Sequence, residues 1–228
     1  TQFNSIELNA TFYSLPSPEQ VLTWKEKTPA DFKFFPKITN TVSHFRRLIN
    51  VDDVVTQYAT SMLNFGDQLG MVFLQLHDNF KPKDYDRIEK FVKSWPREIP
   101  LAIELRSTEW FEEENFEKVS ALFEENNITN IIVDTAGRRD MLHMRLTTDS
   151  AFIRYVGANA ESDYERLDDW LERIKIWKNQ GLKNLYFFVH QNVEKASPLL
   201  SAYFIEKLNA EFGTSIVIPK MAESKTLF

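Results

Sequence analysis

The amino-acid sequence predicts an α/β protein of the TIM-type (β/α)-barrel class, one domain over residues 1–228. Three observations carry this. The length suits one barrel, because chains of about 200 to 250 residues routinely hold together around a single core. Short apolar runs alternate with amphipathic stretches along the whole chain, the order of a parallel sheet with helices packed outside it. No Gly-x-Gly-x-x-Gly and no Gly-x-x-x-x-Gly-Lys-Ser/Thr follows any of the runs, so the nucleotide fingerprints of open sheets are missing and the closed form is preferred.

Strands are expected at residues 6–12, 32–38, 71–76, 101–105, 131–133, 151–156 and 185–189, where β-branched and aromatic residues cluster. Several of these runs are apolar without alternation, as parallel strands buried on both faces are. After the first, Ser17-Pro18-Glu19-Gln20 reads as a capping box opening a helix, in which Ser and Gln side chains satisfy orphan backbone donors. Val51, Val54, Val55, Tyr58, Ala59, Met62 and Leu63 then fall on one helical face, and Gly66 closes that run. Helical patterns at 84–94, 116–125, 164–180 and 199–208 complete the alternation. Ser162-Asp163-Tyr164-Glu165 reads as a second capping box, and Ser197-Pro198 opens the final helix.

The net charge of -6 disfavours a general polyanion binder, so nucleic-acid binding would need a local basic patch. With no cysteine there is no disulfide, thiolate nucleophile or thiolate metal site, which suits the cytoplasm. No apolar run has the roughly 18 residues of a membrane span, and Thr1-Gln2-Phe3-Asn4 does not read as a signal peptide, so no membrane association is expected.

Active sites of parallel α/β sheets form beyond the carboxyl ends of the strands, which makes late-strand polar residues the informative ones. They are Glu7, Asn9 and Tyr13; Lys37; Gln75; Glu104 and Arg106; Asp134; Arg154; and His190. Glu7 and Asn9 lie two apart, as do Glu104 and Arg106, so each pair shares one face of an extended strand. Glu7, Glu104 and Asp134 are the acid–base candidates. Lys37, Arg106 and Arg154 suit a small anionic ligand, guanidinium forks matching two oxygens at once. Asn9, Gln75, His190 and His44, the last from the loop 39–44, add polar contacts, and Tyr13 and Trp110 offer rings for stacking. No His-Glu-x-x-His and no Asp-rich calcium loop is present, so no metal site is expected and no cofactor is specified. Three functions fit: an enzyme acting on a small acidic, phosphorylated or sugar-like compound; a nucleic-acid-binding module using Arg46, Arg47, Lys37 and Arg154; and a metal-dependent phosphoester hydrolase using the carboxylates and His190.

The run Glu7-Leu8-Asn9-Ala10-Thr11-Phe12-Tyr13-Ser14-Leu15-Pro16 resembles the signature Glu-x-Asn-x-Thr-Phe-Tyr-x-x-Pro of the YecE-like family, domain of unknown function 72. The likeness continues through Trp24, Pro29, Phe32, Lys37, His44, Leu48, Gln75, the Glu104-x-Arg106 pair, Trp110, Asp134, and Arg154 with Gly157. It implies a TIM-type barrel with a polar pocket at the strand ends and no established activity. Ser107 and Val156 stand where the family usually has His, and His190-Gln191 where it has paired Asn. The resemblance also implies a strand and helix ahead of the Glu-x-Asn motif, so residues 1–228 are expected to lack the first strand and helix of the barrel and to leave two open edges.

Overall fold

A computed structural model describes residues 2–220. Seven strands run parallel in chain order: β1 Ser5–Leu8, β2 Lys33–Pro36, β3 Val72–Gln75, β4 Leu101–Glu104, β5 Thr129–Thr135, β6 Ser150–Gly157 and β7 Asn184–Gln191. The helices are α1 Ala10–Tyr13, α2 Pro18–Glu26, α3 Asp52–Met62, α4 Tyr85–Ser94, α5 Glu113–Glu125, α6 Ser162–Asn179 and α7 Ser197–Phe212. β1 pairs with β2, and β3 to β7 form an unbroken ladder. Single parallel bridges, Phe34 to Leu69 and Lys37 to Phe73, carry the sheet from β2 to β3.

The sheet is strongly curled. Phe35 of β2 lies 5.5 Å from Phe152 of β6 and 5.0 Å from Phe188 of β7, between ring centroids, although these strands are not neighbours. The concave side is therefore a packed interior, filled by Phe35, Met71, Phe73, Ala102, Ile131 and Phe152. Gly70 lies against Phe35 so closely that a Cβ there would stand 2.5 Å from its Cζ. The convex side is covered by helices. In α6 the residues Leu167, Trp170, Leu171, Ile174 and Trp177 recur at helical spacing and are buried against Ile153 and Tyr155.

Local chemistry sets the differences from the sequence reading. The first strand stops at Leu8 rather than 12, because Thr11 turns inward and its hydroxyl lies 2.8 Å from the Leu8 carbonyl and 2.7 Å from that of Lys37. That contact closes the single helical turn α1, which aromatic side chains at 12 and 13 disguise as strand. Of the capping box expected at Ser17 the serine half forms, its hydroxyl accepting from the Gln20 backbone amide at 3.3 Å. The capping box expected at Ser162 does not form. Glu161 takes the cap position without a side-chain bond, and Asp163 instead accepts from the amides of Ala158 and Ala160, both at 3.0 Å, folding the preceding loop.

β1 and β7 are the two ends of the curl, and among the described residues neither has a second partner strand. A cleft of about 700 Å³ separates them, lined by Ser5 and Glu7 of β1, Phe188 and His190 of β7, and Phe204 and Leu208 of α7. No helix among the described residues is long and apolar enough to cross a membrane.

Candidate functional site

Above the aromatic interior, at the carboxyl ends of the strands, lies a layer of polar side chains joined end to end. Lys37 Nζ donates to Gln75 Oε1 at 2.8 Å, and Gln75 Nε2 donates to Glu104 Oε1 at 2.8 Å. Arg154 closes the arc. Its Nη1 reaches Glu104 Oε2 at 2.7 Å, while Nε and Nη2 grip the two oxygens of Glu7 at 2.7 and 3.2 Å. His190 Nε2 lies 3.0 Å from Glu7 Oε2, and its Nδ1 is 3.4 Å from the exposed Glu194. The layer thus runs from β2 through β3, β4 and β6 to β1 and β7, bringing together residues 147 and 183 positions apart.

Glu7, Glu104 and Lys37 are buried; the two carboxylates stay charged by pairing with Arg154, whereas Lys37 faces the uncharged Gln75 amide. Burial alone would raise the Glu7 carboxyl, but the His190 hydrogen bond and the Arg154 charge hold it down at about 2. That same hydrogen bond raises His190 above the ordinary histidine value, against burial. Lys37 goes the other way: burial, reinforced by the charge of Arg154, lowers it to about 8 against the pull of Glu104 and Glu7. His44, in the π-helical turn Thr41–Phe45, is lowered by burial and by the neighbouring His77, whose ring centre is 5.1 Å away. Ser43 Oγ and His44 Nδ1 are 2.8 Å apart. Phe12 links the Lys37 end of the layer to His44, with the Lys37 ammonium 4.1 Å over its ring and His44 edge-on at 5.1 Å.

The family model described as "Protein of unknown function DUF72" matches residues 1–224. The chain belongs to this family. It is 28% identical over 246 residues to the UPF0759 protein YecE of Escherichia coli K12, covering 99% of this chain and 90% of that one, and is equally similar to YecE of strain O157:H7. A DUF72 family protein of Enterococcus faecalis superposes with a TM-score of 0.74 at 18% identity, over 93% of this chain and 90% of the other. A DUF72 family protein of Thermotoga maritima gives 0.69 at 26% identity, over 92% and 85%. These solved structures share the fold of the curled parallel sheet.

In this DUF72 protein six of the residues singled out from the sequence, Glu7, Lys37, Gln75, Glu104, Arg154 and His190, form the connected layer. Arg106 stands at its edge. β4 ends at Glu104, so Arg106 leaves the strand and pairs with Asp78 at 2.7 Å, keeping only a 4.0 Å approach to Glu104. Asn9 and Tyr13 are exposed, Tyr13 edge-on to Phe12 at 5.0 Å. Trp110 lies apart from the layer: it is fully buried and its indole donates to the Phe80 carbonyl at 2.7 Å. Asp134 also lies apart, on the helix side of β5, where it accepts from the Trp170 indole at 2.8 Å and pairs with Arg166 at 2.7 Å and Arg139 at 3.2 Å. The basic loop pair is engaged as well, Arg46 with Asp53 and Arg47 with Asp84. Three participants escaped sequence reasoning. Phe12 carries no polar signal, while Asp78 and Glu194 sit in loops where no periodicity shows what they face.

Proposed function

We propose that this protein is a cytoplasmic enzyme performing acid–base chemistry on a small acidic, phosphorylated or sugar-like compound at the carboxyl ends of its strands. The observation that carries the reading is the Glu7–His190 hydrogen bond inside a layer of buried, mutually tuned charges. Glu7 stays ionised and acts as a positioning residue: it holds the Nε2–H of His190 and leaves Nδ1, approached only by the exposed Glu194, as the atom that takes or gives a proton. The raised His190 suits proton donation, while burial and His77 lower His44. Arg154, matched by two carboxylates, holds the frame, which leaves Lys37 and His190 to meet a substrate. The same reading includes a barrel domain completed by one further parallel strand in the cleft between β1 and β7, because among the described residues both cleft walls are unpaired parallel edges.

The test is thermal unfolding against a panel of small carboxylates, sugar phosphates and neutral sugars. A binder at a hundred times its Kd stabilises by about 2.7 kcal/mol, a rise of about 5–11 °C for a chain this long. The reading expects such a rise in the wild type and its loss in His190→Asn. It fails if no compound stabilises the protein, or if His190→Asn responds as the wild type does. Salt-sensitive stabilisation by a single-stranded oligonucleotide alone would point to nucleic acid instead.

A further inference from the structure

Lys37 is the one buried lysine among the described residues. A buried ammonium ordinarily has a carboxylate against it, because desolvation otherwise favours the neutral amine. Here the two carboxylates of the layer are taken by Arg154, each at 2.7 Å. No described carboxylate oxygen comes within 4.0 Å of Lys37 Nζ, and its hydrogen-bond partner is the uncharged Oε1 of Gln75 at 2.8 Å. An amide oxygen carries no net charge, so it holds the proton on nitrogen less firmly than a carboxylate in the same place would. The aromatic face of Phe12 covers another side at 4.1 Å. The charged groups felt at Nζ are Arg154 and Arg106, which disfavour the ammonium, and Glu104 and Glu7, which favour it; His44 lies beyond Phe12. Burial and these charges bring the amine to about 8, where about a tenth is unprotonated at pH 7 and about a quarter at pH 7.5, far more than for a solvated lysine. A desolvated lysine beside another cation, at the carboxyl end of a strand, is the arrangement that makes a nitrogen nucleophile.

We propose that Lys37 is a nucleophilic amine that captures the carbonyl carbon of a small aldehyde or ketone, such as an aldose or a 2-oxo acid, as an imine. This rests on the reading of the strand ends as the substrate site and names the substrate class. The Nζ lone pair forms the C–N bond while the carbonyl π pair moves to oxygen. Oxygen gains a proton and nitrogen loses one, giving a carbinolamine. A second proton then reaches the hydroxyl, which leaves as water while the nitrogen pair forms C=N, giving the protonated imine; loss of the remaining N–H proton returns the second proton and gives the neutral imine, and hydrolysis is the reverse. Solvent supplies and takes up these protons. One water is released per imine, and no oxidant or reductant is consumed.

The experiment treats the protein with glyceraldehyde or pyruvate and sodium cyanoborohydride, which reduces an imine to a stable secondary amine, and maps the adducts by peptide mass spectrometry. At pH 7.5 Lys37 is expected to carry at least tenfold more adduct than any exposed lysine. Its rate should rise with pH and level off above about 8. Gln75→Glu, which sets a carboxylate against Nζ, should slow it at least fivefold at pH 7.5, and Lys37→Arg should abolish it. The proposal is overturned if adducts spread over exposed lysines with Lys37 no higher than they are, or if its rate climbs past pH 10 as a solvated amine's does. Because the first readout is made on the wild type, misfolding of a variant leaves it intact. Labelling of Lys37 with no stabilising compound in the thermal panel would keep the imine site and remove the acid–base reading. Stabilising compounds with Lys37 unlabelled would do the opposite.

Discussion

Glu7→Gln is the sharpest perturbation of the polar layer, because it removes one negative charge from a site where three hydrogen bonds converge. The carboxylate accepts from Arg154 at 2.7 and 3.2 Å and contacts His190 at 3.0 Å. Its lowering from 4.5 to about 2 corresponds to about 3 kcal/mol of folding free energy at 1.36 kcal/mol per pKa unit. Breaking a buried ion pair costs a comparable ~3–5 kcal/mol. At about 2–4 °C per kcal/mol for a chain of this size, the variant should melt about 6–12 °C below the wild type at pH 7. The pH dependence carries the sign. The folded-state value lies below the unfolded one, so the stabilisation is complete above about 4.5 and is lost as pH falls towards 2. Urea unfolding of both proteins at pH 7, 5 and 3 should therefore give a gap of about 3 kcal/mol that holds to pH 5 and narrows at pH 3. A gap under about 0.5 kcal/mol at pH 7, or one that does not change with pH, would refute the reasoning.

Arg154→Met leaves Glu7 and Glu104 buried without their shared counter-charge; urea unfolding at pH 7 should show a loss of about 3–5 kcal/mol, shrinking as pH falls and Glu7 takes up a proton. Gly157→Ala sets a Cβ at 2.5 Å from Gln191 Oε1 and 2.8 Å from Asp163 Oδ2, the acceptors that fold residues 158–160; it should cost about 1–3 kcal/mol in a thermal melt, and a neutral outcome would show that the loop yields. Hydrogen exchange on residues 1–228 should find the edge strands β1 and β7 exchanging faster than β4 and β5, which are paired on both sides; equal protection would mean that the cleft edges are covered.

Much of the architecture was legible in the sequence because the strands are apolar and β-rich; Glu104 fell at the carboxyl end of its expected strand, whereas Glu7 comes to the end of β1 because that strand stops at Leu8 rather than 12. The i, i+2 rule failed where extended backbone stops. Asn9 lies past the end of β1 and Arg106 past the end of β4, so neither shares its strand partner's direction. Asp134 shows a second limit. Ile131, Ile132 and Val133 are all apolar, so nothing in β5 reveals which face is inward; Val133 packs towards the interior and Asp134 points to α6. The ion-pair pattern was out of reach for another reason. Arg154 chooses its carboxylates through space, across 147 and 50 residues of chain, and its charge is thereby matched within the layer, whereas the sequence suggested a clamp for an incoming anion. Lys37 gained its interest from the same choice, since it is the basic residue of the layer that Arg154 leaves without a carboxylate.

The central claim is that an ionised Glu7 positions His190 as the proton-transfer group of the site. An NMR titration of the His190 imidazole, in the wild type and in Glu7→Gln, tests it most directly. In the wild type His190 should titrate above 6.5, with Nε2 as the protonated nitrogen of the neutral form, and in Glu7→Gln its pKa should fall. A His190 that titrates at or below 6.5 in the wild type, or that does not respond to the loss of the Glu7 charge, would contradict the account.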